Sequence, residues 1–154
     1  MQKLAVLVMA LVLAVPATAE TIADPVVFVK GVYARWNASQ PEPTGVFTAR
    51  LDALAALDDK EAHGEVGRGD DFSFWCDCQD GELTNATVRG WPVYAAVPAR
   101  EVVEVKFLLD GKKQDLLFYF EMTKAGWKLD DVQSIASDPW TLSLVYKYGW
   151  PDGK

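Results

Sequence analysis

The sequence predicts an α+β domain in which N-terminal helices pack on a curved antiparallel sheet and a short helix ends the chain. Two amphipathic helical segments come first, and a run of alternating strands joined by tight turns follows them. The strands are not interleaved with helices in the way that a parallel sheet requires. A single domain is therefore expected over residues 20–154, a length that supports a sizeable hydrophobic core.

Residues 1–19 are predicted to form a secretory signal peptide. Lys3 makes the N-terminus positive, Leu4–Val15 is an apolar run too short to cross a bilayer, and Ala17-Thr18-Ala19 suits cleavage. Loss of Lys3 changes the formal net charge from −7 to −8. We therefore expect a periplasmic or secreted protein that binds neither nucleic acid nor, once the signal peptide is cleaved, a membrane.

The first helix is predicted to begin at Asp24-Pro25, with Asp24 as its N-cap and proline in its first turn. Its apolar stripe should face the sheet; the stripe consists of Phe28, Val29, Val32, Tyr33 and Trp36. A linker over Asn37–Gly45 leads to a second helix over Thr48–Lys60. This helix should bury Leu51, Leu54 and Leu57 and leave Arg50, Asp52 and Asp58 in water.

After a loop over Ala62–Asp71, the chain is expected to form an extended segment, Phe72–Cys78, and then a strand, Thr84–Tyr94. Trp91-Pro92 marks this strand as an edge or a bend, because proline cannot donate a hydrogen bond to a sheet ladder. Near the C-terminus a last helix is predicted over Pro139–Tyr148, with Gly149 as its stop.

The centre of the sheet is predicted between Glu101 and Val132 as a three-stranded meander. Strict alternation of apolar residues defines its first strand; they are Val103, Val105, Phe107 and Leu109. A two-residue turn at Asp110-Gly111 sets the register and places Val105 opposite Leu116. A four-residue turn, Thr123-Lys124-Ala125-Gly126, should then pair Met122 with Trp127 and Phe120 with Leu129, all four inside.

Short motifs occur near the start, in the middle and near the end of the chain: Asp24-Pro25…Phe28…Tyr33, Asp71-Phe72…Gln79-Asp80 and Trp127-Lys128-Leu129-Asp130-Asp131-Val132. They resemble a family of secreted bacterial proteins of unknown function in the nuclear-transport-factor-2-like, or cystatin-like, superfamily. The resemblance implies a cone-shaped sheet. Enzymes of this superfamily, such as ketosteroid isomerases, place an Asp base and a Tyr donor inside the cone. Groups of these types are available here in Tyr33, Tyr94, Tyr119, Asp71 and Asp131.

The chain departs from the family pattern at Cys76-Asp77-Cys78, so the resemblance assigns no role to these cysteines. Export favours their oxidation. In a regular strand, however, residues two apart have Cα atoms about 6.5–7 Å apart, at or beyond the limit of disulfide geometry. A disulfide between Cys76 and Cys78 therefore requires a bulge or a turn. Two free thiols, or a metal or redox role, are the alternatives.

No metal site and no cofactor is predicted. His63 is the single histidine of the chain and is expected in an exposed loop. The acidic run Asp77…Asp80-Gly81-Glu82 does not fit a calcium-binding EF-hand loop, because the cysteines fall at two carboxylate positions. The aspartates here and at positions 70 and 71 are interpreted as solvated turn residues or caps.

The candidate residues for binding a ligand or partner are Tyr33, Trp75, Asp80, Trp91 and Tyr119, and no residue is assigned a catalytic role. Trp75, Trp91, Trp140 and Trp150 could share a partly exposed aromatic patch. We expect an exported, non-catalytic binding protein for a protein partner or a small apolar ligand, in its most specific form an immunity or inhibitor-like partner of a cationic protein. The alternative is a small hydrolase or isomerase with a carboxylate in an open cone.

Overall fold

The computed structural model describes residues 21–36 and 41–151. The predicted signal peptide and part of the predicted linker lie outside these residues. The elements, in chain order, are α1 (Pro25–Arg35), α2 (Ala49–Glu61), β1 (Leu83–Val93), β2 (Arg100–Leu109), β3 (Lys112–Thr123), β4 (Gly126–Ser134), β5 (Trp140–Thr141) and α3 (Leu142–Tyr148). Within the described ranges, no helix has the length and apolar character needed to cross a membrane.

The five strands form one curved antiparallel sheet in chain order, β1 to β5, so the α+β fold class is confirmed. The predicted register of the meander is also confirmed, since Val105 lies opposite Leu116. Asp110 and Gly111 have φ angles of 48° and 79°, as a two-residue turn of this type requires. β1, which contains Pro92, is an edge strand.

The second turn also sets the predicted pairing, with Met122 opposite Trp127 and Phe120 opposite Leu129. The burial predicted for the outer pair was wrong. Met122 is 38% exposed and Trp127 is only partly buried, whereas Phe120 and Leu129 are in the core. The outer pair lies where the two strands end at the turn.

Helix α1 starts as predicted, with Asp24 accepting a hydrogen bond from the backbone N–H of Val27 at 2.9 Å. The helix lies so close to β1 that a Cβ atom at Gly90 would stand only 2.2 Å from Cγ2 of Val26. Beside α1, Trp75 stacks on Phe118 with ring centroids 5.0 Å apart. Aromatic and aliphatic side chains thus fill the space over this face of the sheet, which we call the packed face.

The burial of side chains along the second helix differs in part from the prediction. Leu51 is buried, but Leu57 is 41% exposed and Asp58 is 2% exposed. Asp58 is buried because the loop that follows the helix folds back onto it: Arg68 Nε donates to its carboxylate at 2.6 Å, and the backbone N–H of Gly69 donates at 2.8 Å. The prediction that Asp58 stays in water was wrong, since sequence periodicity does not reveal these partners.

Two further boundaries differ from those predicted. Residues 73–78 form a short hairpin closed by an isolated bridge between Ser73 and Cys78, instead of an extended strand. The last helix begins at Leu142 and not at Pro139, because Trp140 pairs with Ser134 as part of β5. Both differences bring the hairpin and the C-terminal segment to the same end of the sheet.

Candidate functional site

The cysteine hairpin, defined as residues 73–78, is closed by a disulfide between Cys76 and Cys78. Asp77 between them has a φ angle of 57°, and this turn brings the two Cα atoms to 5.1 Å, within disulfide geometry. Backbone hydrogen bonds from Ser73 N to Cys78 O at 2.8 Å and from Cys76 N to Ser73 O at 3.2 Å complete the turn. The predicted local disulfide and its turn are confirmed, and such a bond fits an extracellular or periplasmic protein.

The Asp77 side chain ties the cysteine hairpin to the C-terminal part of the chain. Trp140 Nε1 donates to one carboxylate oxygen at 2.7 Å, and Ser134 Oγ donates to the other at 3.0 Å. Hydrogen bonds to an ionised carboxylate are stronger than neutral ones. The interpretation of Asp77 as a solvated turn residue was therefore wrong, because its positive φ turns the carboxylate toward β4 and β5.

Three aromatic rings lie next to this link and touch one another edge to face. The centroid distances are 4.6 Å between Phe72 and Trp150, 5.1 Å between Phe72 and Trp140, and 6.0 Å between Trp140 and Trp150. Trp140 is buried at 5% exposure, while Phe72 and Trp150 are partly exposed. Aromatic pairs at these distances and angles are mutually stabilising. The rings therefore form an ordered wall, two members of which are accessible.

An open cleft of about 560 Å³ lies between the cysteine hairpin and the C-terminal segment, residues 136–151. We call it the aromatic cleft. Besides the three rings, its lining includes the carboxylates of Asp71, Asp77 and Asp138. Among the described residues that line it there is no lysine, arginine or histidine. The cleft thus combines aromatic faces with carboxylates.

One side of the cleft is fixed by Gln79. Its side-chain Nε2 donates to the backbone carbonyl of Asp71 at 3.0 Å and lies 3.5 Å from the Asp71 carboxylate. This contact holds the residue next to Phe72 in place at the entrance of the hairpin. The carboxylate of Asp71 is exposed and available to solvent on the cleft side.

The residues predicted to bind a ligand do not come together. Tyr33 and Trp75 lie in the core at 6% and 0% exposure, and the Tyr33 hydroxyl donates to the backbone carbonyl of Trp75. Burial raises the pKa of Tyr33 well above its ordinary value. These two residues stabilise the packed face and offer no surface to a ligand. Asp80 is exposed and lies outside the lining of the aromatic cleft.

Trp91 and Tyr119 lie on the other face of the sheet, where each pairs with Val102 on the intervening strand. Trp91 is 42% exposed. The Tyr119 hydroxyl donates to Gln133 Oε1 at 2.8 Å, and burial together with the Asp131 charge raises its pKa. The two residues thus share the face of the sheet that is opposite to the packed face. Their role in binding a partner stays a prediction.

Sequence reasoning named Trp140 and Trp150 as members of a possible patch but missed Phe72, Asp71 and Asp138 as their neighbours. The motif Asp71-Phe72…Gln79-Asp80 contained part of the signal, since Asp71, Phe72 and Gln79 all line the cleft. Their proximity to the C-terminus depends on β5 and on Asp77. Neither feature has a local sequence pattern.

The structure also bears on catalysis and metal binding. Within the described residues, no group of three or more His, Cys, Asp and Glu side chains is placed to hold a metal ion. The buried polar side chains of this part of the chain are Thr48, Asp58 and Ser134. Of these only Asp58 is a carboxylate, and it belongs to α2 and is paired with Arg68. The packed face holds mainly aromatic and aliphatic side chains.

Neither a family model nor a curated protein matches this chain. Among solved structures, the chain is similar to a phospholipid-binding protein from Ralstonia solanacearum, determined in complex with a phospholipid. The two chains are 21% identical, and the match covers 84% of this chain and 63% of that one, so this chain corresponds to less than two thirds of the Ralstonia protein. The TM-score is 0.32, a value that does not establish a common fold.

Proposed function

We propose that this chain is an exported, non-catalytic binding protein of the nuclear-transport-factor-2-like superfamily, whose ligand or partner segment binds in the aromatic cleft. The cleft itself is the observation that supports this function. Its volume of about 560 Å³ falls within the roughly 300–1,000 Å³ that ligand pockets occupy. Its accessible aromatic rings, Phe72 and Trp150, lie beside polar groups held in place by the chain, a combination typical of binding sites.

Export and the superfamily have separate support. The predicted signal peptide and the disulfide of the cysteine hairpin both suit an oxidising compartment. The order of two helices followed by an antiparallel sheet, together with the motif that runs from Trp127 to Val132, favours the superfamily. The cone of such a fold would correspond here to the packed face.

A binding role is favoured over the hydrolase or isomerase alternative because the packed face is filled. Trp75, Phe118 and Phe120 are each exposed by at most 1%, and they occupy the space in which a substrate would have to lie. The aromatic cleft, by contrast, is open to solvent. Its most embedded carboxylate, Asp77, is engaged by Trp140 and Ser134. This engagement suits a structural role for Asp77.

The proposal is tested by screening a library of small soluble fragments against the exported protein and following the tryptophan indole N–H signals by NMR. Fragments that bind should shift the signals of Trp140 and Trp150 and leave that of Trp91 unchanged. Trp150→Leu should weaken these fragments severalfold, while Trp91→Leu, at a partly exposed position on the other face of the sheet, serves as the matched control. Fragments that shift only Trp91, or that bind equally well to both variants, would contradict the proposed site, as would the absence of any hit.

A further inference from the structure

We propose that residues 93–99, the connection between β1 and β2, insert into the interfacial region of a phospholipid bilayer. We call this segment the apolar tip. It lies at the end of the sheet opposite to the aromatic cleft: Gln114 lines the cleft, whereas Met122 donates its backbone N–H to Ala99 of the tip at 2.8 Å. The step along β3 from Gln114 to Met122 spans about 27 Å. Membrane contact at the tip is therefore separate from the proposed function, and it departs from the expectation, based on net charge, that the mature chain binds no membrane.

The exposure of apolar side chains in the tip is the first observation. Val97 is 95% exposed, Tyr94 is 89% exposed and Val93 is 42% exposed. The other residues of the tip are alanines and a proline, so the segment has no charged side chain, and the Tyr94 hydroxyl is its single side-chain hydrogen-bonding group. Isolated exposed apolar residues are ordinary, but a contiguous apolar surface marks a site that contacts a protein or a membrane.

The backbone of the tip forms a tight turn that holds these side chains outward. The N–H of Ala96 donates to the carbonyl oxygen of Val93 at 3.3 Å, and Ala95 inside the turn has a φ angle of 59°. Glycine or asparagine adopts such an angle more readily than alanine does. The turn thus has an apolar residue where its geometry favours a flexible or polar one, and turn stability does not account for its composition.

The chemistry of the tip favours lipid over a pocket in a protein. Protein interfaces combine apolar contact with roughly one hydrogen bond per 100–200 Å², and the tip offers one side-chain group for such bonds. Lipid requires apolar side chains and few unpaired N–H groups. Pro98 has no N–H, and the N–H of Ala96 is bonded within the turn. A tyrosine such as Tyr94 suits the membrane–water interface, because its ring is apolar and its hydroxyl reaches the headgroups.

Cationic side chains beside the tip match the phosphates of lipid headgroups. Arg100 directly follows the tip; its side chain is 52% exposed and pairs with Glu121 at 2.7 Å. Lys124 is exposed on the turn between β3 and β4, at the same end of the sheet. Basic side chains next to an inserted apolar segment strengthen binding to anionic lipids. The net charge of −7 opposes this only weakly, because charges farther away than about 8 Å are largely screened at physiological salt.

The apolar part of the inference is tested by sedimentation of the exported protein with phosphatidylcholine vesicles. The protein should sediment with them. Val97→Ser and Tyr94→Ser should each weaken binding about tenfold, because each removes an apolar side chain that lipid would bury. Val66→Ser and Tyr148→Ser are the matched controls, since these positions are 67% and 69% exposed elsewhere on the chain.

The charged part is tested with vesicles of equal parts phosphatidylcholine and phosphatidylglycerol, which should bind the protein more tightly. Lys124→Gln should remove most of this gain and leave binding to pure phosphatidylcholine unchanged. Lys113→Gln, at an exposed site near the other end of β3, is the control. Equal effects of the two substitutions would overturn the role assigned to Lys124.

A measurement on the unaltered protein locates the contact without any variant. In bicelles that contain phosphatidylcholine with a nitroxide on its acyl chain, the methyl NMR signals of Val97 should broaden while those of Val66 stay sharp. Sharp Val97 signals, no binding to vesicles, or equal losses in the tip variants and their controls would each overturn the inference. Self-association that Val97→Ser abolishes, seen by sedimentation velocity without vesicle binding, would assign the tip to a second copy of the chain instead. None of these outcomes changes the proposed function, because the fragment screen reads Trp140 and Trp150 in the aromatic cleft.

Discussion

The indole N–H of Trp140 donates to the carboxylate of Asp77 across 2.7 Å, although the two residues are 63 positions apart in the chain. Asp77 lies inside the disulfide turn, and Trp140 is the residue that adds the fifth strand to the sheet. This hydrogen bond therefore fixes the distance between the two walls of the aromatic cleft. It also explains why an aspartate occupies a position with positive φ, which short polar side chains tolerate better than most.

We predict that Asp77→Ala lowers the free energy of unfolding by roughly 2–4 kcal/mol, because it leaves the donors of Trp140 and Ser134 unpaired and places alanine at positive φ. Asp77→Asn should cost less, since asparagine keeps an acceptor and tolerates this conformation. Urea denaturation measures both. Asp80→Ala is the control, and a loss at Asp80 as large as that at Asp77 would show that the link is not the cause.

Much of the sheet could be predicted from the sequence because its signals are local. Alternation along β2 and the Asp110-Gly111 turn together determine which side chains face each other. The start of α1 is similarly local, since the capping aspartate and its proline are adjacent. Features of this kind need no knowledge of distant contacts.

The cleft could not be predicted in the same way, because it is made by contacts between distant parts of the chain. Trp75 and Trp150 look alike in the sequence, yet Trp75 is covered by Phe118 and α1 while Trp150 lies at a surface. Likewise, Asp58 is buried only because Arg68 and the loop after α2 return to it. Burial of a tryptophan or an aspartate follows from its partners, and its own type does not decide it.

The relative burial of aromatic residues gives a second prediction. Phe118 is fully buried, so Phe118→Ala should lower the free energy of unfolding by about 3–5 kcal/mol. Trp127, which sequence periodicity places in the core, is only partly buried, and Trp127→Ala should cost roughly half as much. Parallel denaturation curves of the two variants decide the order. A larger loss for Trp127→Ala than for Phe118→Ala would mean that the end of the sheet at Trp127 is packed more tightly than its partial burial implies.

The ion pair between Arg68 and Asp58 gives a third prediction. Arg68→Met retains the apolar stem of the side chain but leaves the buried Asp58 carboxylate without its cation, and we expect a loss of about 3 kcal/mol. The value lies at the lower end for buried pairs because the arginine side chain is 35% exposed. Glu65→Gln, at an exposed site in the same loop, should change little. An effect of Arg68→Met no larger than that of Glu65→Gln would place the pair among weak surface contacts.

A fourth prediction concerns pH and Asp70. Burial, the hydrogen bond with Asp59 and the charges of Asp59 and Asp58 raise the pKa of Asp70 above its ordinary value of 3.8. The folded chain therefore holds the Asp70 proton more tightly than the unfolded chain, and the stability that this provides is lost as the pH rises through the folded-state pKa. At neutral pH, Asp70→Asn should thus raise the melting temperature, because asparagine stays uncharged beside Asp58 and Asp59. At pH values well below 3.8 the advantage should vanish, because the parent is then largely neutral at this position in both the folded and the unfolded state. A gain that is equal at both pH values would indicate that charge is not involved.

The last prediction concerns the disulfide, whose contribution to stability should be small even though it shapes the cleft. Closing a loop of three residues removes little entropy from the unfolded chain, worth roughly 1–2 kcal/mol at most in the chain-entropy description. The double variant Cys76→Ser, Cys78→Ser should therefore fold and melt within a few degrees of the parent. Serine is suitable at position 76 because the carbonyl oxygens of Ser73 and Cys78 lie 3.6 Å and 3.4 Å from the sulfur that it replaces. The Asp77 hydrogen bonds to Trp140 and Ser134 should then hold the turn without the disulfide, so the Trp140 indole N–H signal should keep its position in the NMR spectrum. A drop of more than about 10 °C in melting temperature, or a displaced Trp140 signal, would show instead that the disulfide is required to keep Asp77 in the conformation that its hydrogen bonds need.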